Sequence, residues 1–169
     1  MDGVAGLHAA SWRRFYRGAY SDAYLDGDVV ADRREVWSSR LAESGVDSAT
    51  ILAEVGGEVA GFAHVKFDED PAWGALLDNL HVSPAHQRQG IGSGLISRAA
   101  RAVVERAAAP SLYLWVLELN TAAQAFYAAH GGRCAERALV RPPGGVPGRL
   151  RGQPVRLRFV WADARLLDA

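Results

Sequence analysis

One stretch constrains this chain more than any other: Gln87-Arg88-Gln89-Gly90-Ile91-Gly92-Ser93-Gly94. It follows a strand-like run, Trp73 to Val82, that ends at Ser83-Pro84. It opens a helical run from about Gly90 to Ala108, with Ile91, Leu95, Ala99, Ala102 and Val103 on one stripe and Arg98, Arg101 and Glu105 outside it. A helix start offers unpaired N–H donors and a partial positive charge, which favour a phosphate. Glycines at 90 and 92 let the backbone approach such a group, and Arg88 adds a charged donor. The turn alone fits either an anion cradle or a plain strand-to-helix connection. A Walker loop is excluded, because no Gly-Lys-Ser/Thr follows. A Rossmann turn would come after the first strand, with an acidic residue about 20 positions on; here helices and strands precede it.

The surrounding pattern fits one α/β layer structure. Residues 7–20 and Ala31 to Ala42 read as helices, the second burying Val36, Trp37 and Leu41. Thr50 to Val55 and Glu58 to Phe67 read as a hairpin around Gly56-Gly57, followed by a charged loop, Asp68-Glu69-Asp70-Pro71. Leu112 to Leu117 is apolar at every position, as expected of a strand buried on both faces. Thr121 to His130 forms a short helix stopped by Gly131-Gly132, and Arg133 to Val140 and Val155 to Trp161 are the last strands. With 169 residues, 49% of them hydrophobic, a single domain over 1–169 has enough core to fold.

Nineteen basic residues balance nineteen acidic ones, so wide adhesion to nucleic acid or an anionic membrane is not expected. A single cysteine, Cys134, rules out an intrachain disulfide and a Cys-rich zinc site; packing in the core is its expected role. His8, His64, His81, His86 and His130 lack metal-ligand spacing, so no metal is expected. Met1-Asp2-Gly3-Val4 has neither the basic nor the apolar part of a signal peptide, and the expected location is cytoplasmic.

Position and spelling of the turn resemble motif A of the GNAT N-acetyltransferase superfamily, Gln/Arg-x-x-Gly-x-Gly/Ala, with Gln87, Gly90 and Gly92 in register. A second block, Asn120 to Gly131, resembles that superfamily's Asn-x-x-Ala-x-x-Phe-Tyr-x-x-x-Gly. The likeness is good over residues 49–140 and only in outline elsewhere. It implies a mixed, mostly antiparallel α/β (α+β) sheet of about six strands, with helices on both faces and splayed central strands. Members usually begin with a strand, and Val4 to Leu7 leaves almost no room for one. Three readings stay open: a missing strand that exposes the next edge, an edge covered by a partner chain as in a homodimer, or a start assigned too late.

The resemblance also implies chemistry, namely direct transfer of an acetyl group from acetyl-CoA to a primary amine of a small molecule or protein. The main chain at Leu80 and Val82 would hold the pantetheine arm, with the Val82 N–H as oxyanion donor. Gln87, Arg88, Gln89, Gly90, Gly92 and Ser93 would bind the diphosphate, and Asn120 the cofactor. Tyr127 would protonate the leaving sulfur as general acid; seven residues from Asn120, it should share its helix face, with Ala122, Phe126 and Ala129 toward the core. Some members place a Glu at the position of Leu76, so that base is absent. Asp78 and Glu118 are the candidate bases, each equally readable as a structural carboxylate. His81 should point away from Leu80 and Val82. The aromatics Trp12, Tyr16, Tyr20, Tyr24 and Trp37 would wall an acceptor pocket or pack the helices, and Arg141 to Pro154 reads as a lid or a solvated loop. A catalytically degenerate acyl-CoA sensor is the rival reading.

Overall fold

The computed structural model describes residues 2–42 and 45–167. Three helices lead, α1 (Asp2–Phe15), α2 (Asp22–Asp26) and α3 (Val29–Ala42). The order then runs β1 (Ser48–Val55), β2 (Glu58–Asp70), β3 (Gly74–Val82), α4 (Ile91–Arg106), β4 (Leu112–Leu117), α5 (Thr121–Ala129), β5 (Arg133–Leu139) and β6 (Val155–Trp161). The strands form one sheet in the order β1-β2-β3-β4-β6-β5. Only β3 and β4 pair in parallel; the other four neighbouring pairs are antiparallel.

Alternation along β2 shows how the layers divide. Phe62 is fully buried with Val4, Ala5, Leu7 and Trp37 of α1 and α3, whereas Ala63 and Val65 join Leu95, Ile96, Ala99 and Val103 of α4. Successive strand residues point to opposite faces, so helices cover both sides of the sheet. All but one residue of β4 are buried, matching its unbroken apolar run.

Two expected boundaries are wrong. The helix expected over residues 7–20 occupies Asp2–Phe15, and the short α2 lies between the two expected helices. The expected charged loop at 68–71 is largely strand, because β2 continues to Asp70 past Asp68, which adopts a positive φ of 51°. A bulge of this kind lets a strand carry charges past a break in register. Ahead of β1 the described residues add only isolated bridges, Arg17 to Tyr20 and Tyr20 to Leu150, so β1 is the sheet's edge.

The loop between β5 and β6 is tied down. Arg149 pairs with Asp32 of α3 at 2.8 Å and lies over the Tyr24 ring, and Ser21 donates its N–H to the Arg149 carbonyl at 2.9 Å. It is a strap across the N-terminal helices.

Candidate active site

Strands β3 and β4 start together and then part. Ala75 donates its N–H to the Ser111 carbonyl at 3.0 Å, and the register holds for Ala75–Leu112 and Leu76–Tyr113 only. Past these pairs a cavity of about 460 Å³ separates Leu77–Val82 from Leu114–Leu117.

The direction of the β3 main chain follows from its pairing with β2. Ser83 donates to the Ala60 carbonyl at 2.8 Å, and the register sets His81 against Phe62 and Asn79 against His64. Hydrogen-bonded and non-bonded pairs alternate in an antiparallel ladder, so Leu80 and Val82 direct their N–H and C=O groups away from β2, into the gap. Backbone groups at such an edge call for a partner.

The N-terminus of α4 faces the same cavity. Gly90 caps the helix with φ 82° and no side chain bonds across the cap, so the N–H groups of Ile91, Gly92 and Ser93 have no intrahelical acceptor. A Cβ at Gly90 would meet nothing within 4 Å, while one at Gly92 would touch the Phe126 ring at 3.4 Å. Arg88 also holds a positive φ, 60°. Gln87, Arg88, Gly90, Gly92 and Ser93 line the cavity. Gln89 does not; its amide donates to the Ala85 carbonyl at 3.2 Å, bracing the turn. Gln87 likewise donates to the Val82 carbonyl at 3.4 Å, joining turn to strand end.

Helix α5 closes the far wall. Asn120 is its N-cap, accepting the Ala123 N–H at 3.1 Å, and it lines the cavity. Asn120 and Tyr127 share the cavity side as their spacing predicts, but the core-facing residues differ from expectation: Ala122 and Ala129 are exposed, Phe126 is half-buried, and Tyr127 is the buried residue. Tyr127 still reaches the cavity wall. Burial, then the nearby Tyr16, push its phenol well above the ordinary value, so it stays protonated.

The two candidate bases diverge. Asp78 lines the cavity, with Oδ2 held by Arg40 at 2.6 Å and by the Asn79 amide at 2.9 Å. Glu118 does not line it; Arg137 grips both its oxygens at 2.8 and 3.0 Å and holds its carboxyl below the usual range. A smaller recess of about 190 Å³ adjoins the cleft, and Tyr16, Asp78, Asn79, Trp115, Val116 and Leu117 line both.

His81 does turn from the cleft-facing main chain toward α1, its ring 4.8 Å from that of His8, and burial lowers it to about 4. His130 was not singled out, yet it lines the cleft and lies 3.0 Å from the Ser93 hydroxyl. Its place after the Phe-Tyr pair, where α5 ends beside α4, was the available signal. Cys134 is exposed rather than packed, because edge strand β5 is uncovered. Among the described residues no group of three or more His, Cys, Asp or Glu is placed to hold a metal ion, and no helix is long and apolar enough to cross a membrane.

Residues 9–131 match the model of the acetyltransferase (GNAT) family. A probable N-acetyltransferase of Mycobacterium tuberculosis is 29% identical over 126 residues, 73% of this chain and 69% of that protein. A mycothiol acetyltransferase of Saccharopolyspora erythraea is 38% identical over 60 residues, 36% of this chain but only 18% of that protein's length. Among solved structures, the PaiA N-acetyltransferase of Thermoplasma acidophilum in complex with coenzyme A superposes with a TM-score of 0.69 at 18% identity, covering 95% of this chain and 92% of that one.

Proposed function

The chain belongs to the GNAT acetyltransferase family, and we propose that it moves an acetyl group from acetyl-CoA directly to a primary amine. One observation carries this reading: β3 and β4 stay paired for two residues and then part around a cleft that runs from the glycine-capped start of α4 to Tyr127. Coenzyme A bound to a protein of the same fold supports the choice of co-substrate.

Acetyl-CoA supplies an activated acyl thioester. The N–H groups of Ile91, Gly92 and Ser93, with Arg88, bind its diphosphate. The gap-facing backbone of Leu80 and Val82 takes the extended arm as an added strand would be taken. The Val82 N–H stabilises the carbonyl oxygen as charge develops there, a contribution of about 3–4 kcal/mol for such donors. The amine nitrogen bonds to the carbonyl carbon, the C–S bond breaks, and Tyr127 gives the leaving sulfur its proton. Asp78 is the carboxylate on the amine side, and it takes the amine's proton through water. Glu118, held by Arg137 away from the cleft, is not assigned this role.

The test is thiol release from acetyl-CoA across a panel of amines, with calorimetry of acetyl-CoA alone beside it. Amine-dependent release is the expected result. Tight acetyl-CoA binding with no release by any amine would instead support a sensor, and absence of binding would overturn the cleft assignment.

A further inference from the structure

The recess beside the cleft is cationic. Arg33, Arg40, Arg141 and Arg156 line it, and Asp78 is the only carboxylate among its described lining residues. Arg33 is taken up by Asp32 and Arg40 by Asp78. Arg141 and Arg156 make no ion pair among the described residues, and Glu136, the carboxylate whose charge acts on Arg156, is held at 2.9 Å by Arg158. Arg156 lies over the Trp115 ring at 4.0 Å, and its Nε is buried without a hydrogen-bond partner, as is Nη1 of Arg40. Burial and the neighbouring charges of Arg141 and Arg158 also make the Arg156 guanidinium less comfortable as a cation. A buried donor of this kind is costly until an acceptor reaches it.

We propose that the acceptor is a small primary amine carrying its own anionic group, a carboxylate or phosphonate, which Arg156 and Arg141 hold while Asp78 faces the amine. This rests on the acetyl-transfer reading above. Asp78 and Trp115 line both the cleft and the recess, so a molecule anchored at the arginines presents its amine where the thioester arrives. Arg156 sits opposite Leu117 in the β4–β6 register, at the mouth of the gap. The planar guanidinium matches a carboxylate or phosphonate edge. A polyamine would bring further cations toward unpaired arginines, which disfavours it as acceptor.

The experiment compares matched acceptors with the full chain and saturating acetyl-CoA. α-Amino acids, ω-amino acids and aminoalkylphosphonates are each set against the corresponding carboxamide or alkylamine, with spermidine and a C-terminally amidated peptide added. The anionic members should show kcat/KM at least about tenfold above their neutral partners, and the carboxylate and phosphonate arms identify which anion fits. Arg156→Gln should raise KM for the best anionic acceptor about tenfold or more, and Arg156→Lys should recover part of that loss. Arg141→Gln, on an exposed residue, should raise the same KM several-fold without a change in melting temperature or acetyl-CoA binding. Equal use of neutral partners, preference for spermidine or the peptide, or no release from any anionic acceptor while acetyl-CoA binds would each overturn the proposal. Absence of acetyl-CoA binding would instead sink the acetyl-transfer reading, and this inference with it.

Discussion

In the proposed reaction Tyr127 has a single task, to keep a proton until the leaving sulfur needs it. Burial holds the phenol protonated across any working pH, so no alkaline fall in activity should trace to it. Tyr127→Phe removes the proton and leaves the ring packed against Phe159 and Trp161. Turnover should fall about a hundredfold or more, while acetyl-CoA affinity and melting temperature stay near those of the parent. Single-turnover rates and calorimetry on the same preparation check this, and unchanged turnover would return Tyr127 to the core. The residue's type was legible because a Phe-Tyr pair stood at a fixed distance from an asparagine. Its surroundings were not: the spacing puts Tyr127 on the side of Asn120, but does not tell that α5 buries Tyr127 and leaves Ala122 and Ala129 exposed.

At the scale of elements, the start of α4 is the feature most open to trial. A side chain at Gly92 begins in contact with Phe126 and within 3.8 Å of a Val82 methyl, so a large one fills the corner between β3 and α5. Gly92→Trp should weaken acetyl-CoA at least a hundredfold in calorimetry with helix content retained; wild-type affinity would mean that the diphosphate goes elsewhere. The strand-turn-helix unit was readable because glycines, the apolar stripe and Ser83-Pro84 all agree locally. The fate of the 141–154 loop was not, since its order depends on Arg149 meeting Asp32, 117 positions away. The parting of β3 from β4 was reached only through a family likeness. Nothing in Leu77 to Val82 or Leu114 to Leu117 says that two strands side by side in space will decline to pair.

Across the whole molecule, a column of histidines joins the layers, His8 and His64 buried and His81 half-buried. His8 of α1 accepts the Trp37 indole N–H of α3 at 2.9 Å and meets His81 of β3; His64 of β2 packs on Trp37 and lies 2.9 Å from the Thr50 hydroxyl of β1. Burial is the largest influence on all three, bringing His64 and His81 to about 4 and His8 well below its ordinary value. His81, Arg33 and Arg40 lower His8 further, Arg40 and Lys66 lower His64, and Arg33 lowers His81, while Asp78 opposes the shift at His64 and His81. An unfolded histidine titrates near 6.5. Between about pH 6.5 and 4 the unfolded chain therefore binds protons that the folded chain refuses, and stability falls as pH falls through that window. Above it the full contribution is present; below about 4 the folded His64 and His81 protonate too, and their share of the loss levels off. Near pH 5, unfolding should take up about two protons from His64 and His81, with His8 adding to them. Denaturant titrations from pH 8 to 4.5 measure that uptake as the slope of unfolding free energy against pH. His81→Gln should reduce it by about one proton. A slope that is flat from pH 7 to 5, or one unaltered by that substitution, would show that these histidines do not couple the layers as their burial requires.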